Sequence, residues 1–466
     1  MSTTHLSALD ASFLEVESPC AHMHVGWAAV LDPPEGRPAP EFDRLREHIG
    51  GRLSRAPRFR QMLRSVPFGL STPVWVDDPE FDLSRHLIEA RCGQLSEIID
   101  ACMSQKLRRD RPLWQMWVAP RLADGRVGLV AKLHHCMVDG IAAVELGSLL
   151  LDPTPEPPPP ERDDWKPAAA PNPVELLTRG AVDLVRDQIR LASIPARFAA
   201  SPKRARELVG RSGRALAALA DSARPARISA ALNPPISPRR HLGSLARPVD
   251  DLLEIKRSLG VTLNDVLLAA VTSGVRRWLA GRGERPMTVK AMIPVNVRED
   301  GDGDALGNRI SFMFVDLPCE EPDPLLRLRH LHAETDDRKQ RGIPDAAGDV
   351  LDLLSLSPPP VQRLFSRMVA SPRAFNLVVS NIPGPPDAAY VCGCRLREAY
   401  PVVPIADQHA LSVGFTTIAD RACFGLYADP AALPDVDELA ACIDAAIEEL
   451  RDLAPGRPVS REAAFA

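Results

Sequence analysis

The sequence predicts an α/β protein of two similarly built halves, and three observations carry that prediction. At 466 residues the chain exceeds what one hydrophobic core serves, so two domains of roughly 150 to 220 residues are expected. Stretches of strand-like alternation and stretches of helical spacing follow one another in both halves. Between the halves, residues 152–173 hold nine prolines, a semi-rigid extended linker. The expected organisation is therefore 1–152, a distinct linking segment 153–230, and 231–466.

In the first half, a strand from His22 to Leu31 is stopped by Pro33-Pro34. A helix from about Glu41 to Leu53 places Phe42, Leu45, Ile49 and Leu53 on one face. A short strand follows at Ser71 to Val76, then a helical stripe of Leu95, Ile98, Ile99, Cys102 and Leu107. Pro112-Leu113-Trp114 opens a strand that runs to Pro120, and Asp124-Gly125 turns it into a second strand, Arg126 to Leu133. That second strand ends at His134-His135-Cys136-Met137-Val138-Asp139-Gly140, and a helix is expected from Ile141 to Leu151. The seven residues thus sit at a strand-to-helix turn, with Gly140 giving backbone freedom at the bend.

Beyond the prolines, Leu177, Leu184, Leu191 and Phe198 recur every seven residues, while Arg179, Arg186, Arg190 and Arg197 share a neighbouring face. This is a basic amphipathic helix, extended by Lys203, Arg204, Arg206, Arg211 and Arg214. It suits either a strap packed on the two domains or attachment to a membrane surface. The second half alternates a helix ending at Gly260, a helix from Leu263 to Leu279, and strands at Thr288 to Val297, Ser311 to Leu317 and Phe375 to Ser380. A hairpin spans Leu411 to Ala428 and a last helix spans Asp435 to Leu453. Thr262 with Asp265 makes a capping box at the start of the Leu263 helix, which leaves Asn264 spare for a polar role.

Composition narrows the function. Hydrophobic content of 45% and charged content of 25% are those of a soluble globular protein. The formal charge is −5, yet residues 174–230 carry 11 Lys/Arg against 5 Asp/Glu, a local +6, leaving −11 on the rest. Basic residues without interleaved aromatics on an acidic protein make nucleic acid a poor partner. Nine cysteines are scattered with no paired CxxC spacing, so a zinc site is not expected and free cytosolic thiols are. The start lacks a basic and then apolar leader, so secretion is not expected. No apolar run reaches 18 residues, so surface attachment remains the only membrane mode expected.

A histidine at the strand-to-helix turn titrates near neutrality and can take a proton from a nucleophile, with Asp139 four residues on to orient the turn. An isolated pair of histidines more often simply ends a buried strand, and a tryptophan such as Trp114 is more often core than substrate contact. Here the motif has company. His-His-x-x-x-Asp-Gly resembles the signature shared by CoA-dependent acyltransferases of the chloramphenicol-acetyltransferase-like fold and by peptide-synthetase condensation domains. The whole chain outside 152–230 resembles the bacterial wax ester synthase/acyl-CoA:diacylglycerol acyltransferase family, especially its actinobacterial triacylglycerol synthases. The resemblance rests on an ordered series: LSALDASFLEVE, MHVG at 23–26, PLW at 112–114, HHCMVDG, ISPRR at 236–240, VTLNDV at 261–266, PVNVR at 294–298, GNR at 307–309 and NLVVSNIPGP at 376–385.

That resemblance implies a monomer of two chloramphenicol-acetyltransferase-like domains joined by a crossover linker, with a tunnel between them. It implies acyl-CoA as a substrate, diacylglycerol or a long-chain alcohol as acceptor, no metal or bound cofactor, and a peripheral place on the inner membrane or lipid droplets. His135 matches the catalytic base, with His134 beside it, and Asp139 the structural aspartate. Trp114, Gly140, Asn264, Asp265 and Arg298 form the expected substrate-side set, with Asn264 as oxyanion donor and Arg298 as ion-pair partner of Asp139. Two departures stand out: Ala21-His22 where the family often has a proline, and Asp407-Gln408-His409 in place of a glycine-containing turn. The rival activities are amide formation, as in condensation domains, and a catalytically silent coat on lipid droplets.

Overall fold

A computed structural model describes residues 4–91, 93–137, 150–156, 163–199, 224–296, 310–342, 357 and 359–454. Its strands are β1 (Thr4–His5), β2 (His24–Asp32), β3 (Gln61–Arg64), β4 (Val74–Asp77), β5 (Leu87–Glu89), β6 (Trp114–Ala119), β7 (Val127–His134), β8 (His241–Pro248), β9 (Val289–Asn296), β10 (Ile310–Leu317), β11 (Leu377–Asn381), β12 (Tyr390–Val391), β13 (Cys394–Val402), β14 (Leu411–Ile418) and β15 (Arg421–Ala428). The described helices are α1 (Ala8–Val16), α2 (Phe42–Gly50), α3 (Leu95–Met103), α4 (Pro173–Ala199), α5 (Val249–Leu259), α6 (Leu263–Gly281), α7 (Pro324–Gln340), α8 (Pro359–Val369) and α9 (Val436–Asp452). They build two mixed six-stranded sheets, in the orders β12-β13-β2-β7-β6-β5 and β10-β9-β11-β14-β15-β8, and a small sheet β1-β4-β3.

The expected hairpin is β6–β7, whose antiparallel register runs from Trp114 opposite Leu133 to Ala119 opposite Gly128. β2 lies along the other edge of β7 and sets His24 opposite His134. Because side chains alternate on a strand, β7 sends Leu129, Ala131 and Leu133 into one core and Val130 into another. The second core is the larger, and it fuses the β2–β7 face to α3, α5, α6, α9 and the second sheet.

The sheets do not respect the division at 231. β13 comes from the second half but pairs with β2 of the first, through a bulge between Leu396 and Glu398. On its other side it presses on the β14–β15 hairpin, where Gly414 and Gly425 stand opposite each other. A Cβ on Gly425 would lie 2.1 Å from the Pro401 carbonyl, so only glycine lets these backbones meet. The sequence reading passed over β13 because Arg395, Arg397, Glu398, Pro401 and the bulge break the alternation that marks a strand.

It also passed over α7 and α8. α7 carries a clear start, Asp323 accepting the Leu325 and Leu326 amides before Pro324 at the first helical position. Its charge-rich body hides the few buried residues, Leu328 and Leu331 among them. α2 is shorter than expected, ending at Gly50, with Leu53 opening a separate 3₁₀ turn.

The start of the linker is pinned. Asp152, buried, accepts from the buried Arg52 guanidinium at 2.8 Å and exchanges backbone hydrogen bonds with Tyr390. Further on, Asp163 pairs with Arg60 and Trp165 stacks under the same guanidinium. α4 then lays Leu176 into the small core of Met62, Val66, Val74 and Val76. Its later turns expose Val182, Val185 and Ile189, whereas Leu177 and Leu184 are half-buried. The exposed apolar stripe is thus not the expected leucine row. The side chains of Arg190, Leu191, Arg197 and Phe198, and the basic extension through Arg214, lie outside the described residues.

Candidate active site

His134 is the last residue of β7 and His135 opens a 3₁₀ turn, His135–Met137. The chain fixes both backbones from neighbouring motifs. The His134 N–H donates to the Leu113 carbonyl at 2.9 Å, and the His135 N–H donates to the Met23 carbonyl at 2.9 Å. Met23 is buried and holds a left-handed φ of 49°, a backbone state that a non-glycine residue keeps only when its surroundings impose it.

The two imidazoles differ in what they are free to do. His134 accepts the Cys136 N–H at Nδ1 (3.2 Å), so its own proton sits on Nε2. Nε2 points at Glu17 Oε1, 3.7 Å away, too far for a hydrogen bond. Burial, reinforced by Arg109, His135 and Lys106, pushes the pKa of His134 down to about 3. His135 is half-buried, stacked face to face on Phe13 with 3.7 Å between ring centroids and 15° between planes. Its Nδ1 is buried with no hydrogen-bond partner among the described residues. Burial lowers its pKa to about 4, so the ring is neutral at pH 7 and able to accept a proton.

A polar shell surrounds the pair. Glu17, at the C-terminal end of α1, is only 4% exposed and pairs with Arg109 and, at 3.3 Å, with Lys106. Lys132, fully buried on the His134 face of β7, caps α3 by donating to the Cys102 and Gln105 carbonyls at 2.7 and 2.8 Å. His24 accepts the Leu107 N–H at 3.3 Å. α1 lies at the join of the halves: Ser18 just beyond it donates to Asp407, and Glu15 pairs with Arg363 of α8 at 2.7 Å. Phe13 accordingly packs against both main cores.

Other expected site residues fall elsewhere. Trp114 is core: its indole N–H donates to the Phe59 carbonyl at 2.8 Å, and the ring lies between His86 and Phe59. The expectation that it touches substrate is corrected on that ground, and PLW serves the motif through the Leu113 carbonyl. Asp265 is corrected as well. It is fully buried, completes the capping box with Thr262, and accepts from Thr335 at 2.7 Å and His332 at 2.8 Å, which leaves no oxygen for substrate. Burial raises its pKa, but those hydrogen bonds outweigh it and hold the carboxyl below its ordinary value. Asn264 is half-buried on the first turn of α6, and its amide has no protein hydrogen-bond partner among the described residues. Asp139, Gly140 and Arg298, and with them the expected ion pair and the helix after the motif, lie outside the described residues.

Phe13, Glu17, Met23 and Arg109 were missed as site residues. Phe13 and Glu17 are four apart and therefore share a face of α1, a signal visible in LSALDASFLEVE. Met23 and Arg109 carry no local signal; only the β2–β7 pairing and the turn after α3 bring them to the histidines.

Residues 6–267 match the profile of the wax ester synthase/diacylglycerol acyltransferase catalytic domain, and residues 306–451 that of the C-terminal domain of the same group. The chain belongs to the wax ester synthase/diacylglycerol acyltransferase family. A Mycobacterium tuberculosis relative named as a diacylglycerol O-acyltransferase is 34% identical over 474 residues, covering 98% of each chain. A Mycobacterium bovis relative bearing the same activity in its name shows the same identity and coverage. Among solved structures, the wax ester synthase/diacylglycerol acyltransferase of Marinobacter aquaeolei superposes with a TM-score of 0.68 at 24% identity, covering 97% of this chain and 99% of that one. The first condensation domain of the calcium-dependent antibiotic synthetase gives 0.61 at 14% identity, with 98% of each chain covered. The fold is therefore the one these acyltransferases share with condensation domains, and the protein is an O-acyltransferase of the wax ester synthase/diacylglycerol acyltransferase type.

Proposed function

We propose that this acyltransferase moves a long-chain acyl group from acyl-CoA to the free hydroxyl of a diacylglycerol, with long-chain alcohols as second acceptors, and that His135 is the general base. The observation that carries this reading is the neutral His135 imidazole, seated on Phe13 with its backbone held by Met23. His134 is the poorer base, because Nδ1 is occupied and Nε2 faces Glu17.

The neutral ring takes the hydroxyl proton as the oxygen attacks the thioester carbonyl, a contribution of roughly 10²–10⁴-fold. The tetrahedral oxyanion collapses with cleavage of the C–S bond, and the CoA thiolate recovers the proton from the imidazolium. One ester and one free thiol result, and the sum balances with no metal or bound cofactor. The Asn264 amide, without a hydrogen-bond partner among the described residues, is the proposed oxyanion donor, a role worth about 3 kcal/mol where it has been measured. Asp139 paired with Arg298 would stiffen the turn.

The acceptors are insoluble, and among the described residues no single helix is long and apolar enough to cross a bilayer. We place the enzyme, as a monomer, on a membrane or droplet surface through α4, whose exposed Val182, Val185 and Ile189 sit beside exposed Arg186. The test is direct: purified enzyme with palmitoyl-CoA and diolein or hexadecanol should release thiol and form ester in equal amounts. His135→Ala should abolish both at unchanged Tm. Wild-type turnover by that variant would overturn the base assignment, and product only with an amine acceptor would overturn ester synthesis.

A further inference from the structure

Glu17 is an acid in an adverse place. It caps the C-terminal end of α1, where the helix dipole disfavours negative charge, and its side chain is 4% exposed. A carboxylate buried so needs partners, and it has Arg109, Lys106 at 3.3 Å and, facing it at 3.7 Å, the Nε2–H edge of His134. The partners come from two elements besides α1: the turn after α3 and the end of β7. They meet Glu17 beside the histidine motif.

Among the described residues, Glu17 is a buried counter-charge to the cations of this cluster. Lys106 and Arg109 bring positive charge to His134 and the buried Lys132 brings it to His24, while His24 and His135 are held neutral by burial. On α1 the acids on this side are Asp10 and Glu17, and Glu17 is in contact with Arg109 and Lys106. Proton uptake by His135 would place a further positive charge in this desolvated cluster. We propose that Glu17 is a positioning residue that supplies the counter-charge of the histidine motif, neutralising Arg109 and Lys106 at rest and favouring the imidazolium as it forms. Its ion pairs also fix α1, and so the seat of Phe13 against His135. The inference rests on His135 being the base.

Glu17→Gln keeps the shape and removes the charge. Assayed with palmitoyl-CoA and hexadecanol, it should lower kcat tenfold or more, with KM for palmitoyl-CoA within twofold. The acid limb of the kcat profile should move to lower pH, because loss of a nearby anion makes the imidazolium less favourable. Glu17→Asp, which retains the charge, should recover most of that limb. Adding Arg109→Gln to Glu17→Gln should restore much of the rate, since the uncompensated cation goes with it. Two results overturn the proposal: a Glu17→Gln enzyme with wild-type kcat and pH profile, or a rate loss that follows a fall in Tm with an unmoved limb and no rescue by Arg109→Gln. His135→Ala in the same series reports on the base separately, since its loss of turnover at unchanged Tm upholds the base whichever way the Glu17 variants fall.

Discussion

Two adjacent imidazoles, both neutral at pH 7, are given different jobs by what each nitrogen meets. His134 is locked by the Cys136 N–H and lies beneath the Glu17–Arg109 pair, so His134→Ala should cost stability, about 1–3 kcal/mol for the buried donor left unpaired, besides slowing turnover. Thermal melts of His134→Ala and His135→Ala side by side check this: only the former should lose Tm. Asp265→Ala should behave as a structural lesion. It removes the Asp265 half of the capping box, about 1 kcal/mol, and the buried acceptor of Thr262, Thr335 and His332, so Tm should fall while kcat of the folded fraction stays near wild type. A kcat loss at unchanged Tm would return Asp265 to the substrate-side set. At this scale the sequence made the histidine motif legible, because HHxxxDG lies on consecutive residues at a recognisable turn. The pairing of Glu17 with Arg109 was not legible, since an ion pair spanning 92 residues leaves no local pattern.

At the scale of elements, local chemistry announced the β6–β7 hairpin and α6, through Asp124-Gly125 and the Thr262 cap respectively. β13 shows where that logic ends. It is a strand largely by virtue of β2, distant in sequence, on one edge and the Gly414/Gly425 notch on its face, and neither writes alternation into its own residues. Gly425→Ala should therefore destabilise by about 1–3 kcal/mol, through backbone overlap with Pro401, and a Gly425→Ala protein with wild-type Tm would show that the strands can part at no cost. α4 was legible as a helix but not as to which face it shows, because its packing is decided by the small sheet. Replacing Arg179, Arg186, Arg190 and Arg197 by glutamine should weaken binding to anionic vesicles and make it less salt-sensitive, at about 1 kcal/mol for each basic residue near the surface. Unaltered binding in a vesicle sedimentation assay would leave α4 as a strap alone.

For the whole molecule, the join between halves decides whether the site exists at all. The buried Arg240 guanidinium donates to the Cys20 carbonyl, and the Arg240 backbone N–H donates to the Ser104 hydroxyl oxygen at 2.9 Å. Nearby, His241 of β8 is held between Asp100 of α3 at 2.8 Å and Asp437 of α9 at 3.2 Å, and these bonds raise its pKa to about 9. A histidine whose folded pKa is raised stabilises fully below its ordinary value near 6.5 and loses that contribution as pH climbs through 9. Tm should thus fall between pH 7 and pH 10, and His241→Asn should flatten that part of the curve, with the exposure of Asp437 keeping the effect modest. The two-half plan was legible from length and the proline-rich linker. The exchange of β13 between halves was not, since topology is set by contacts that the sequence order conceals. The central claim is that this join presents a neutral His135 to an acyl thioester and a lipid hydroxyl, and one measurement meets it head-on: thiol release and ester formation from palmitoyl-CoA and diolein, by wild type and by His135→Ala, on protein of matched Tm. Equimolar thiol and triacylglycerol from the wild type and a loss of at least 10²-fold in the variant are the predicted result; equal turnover by the two proteins would contradict the account.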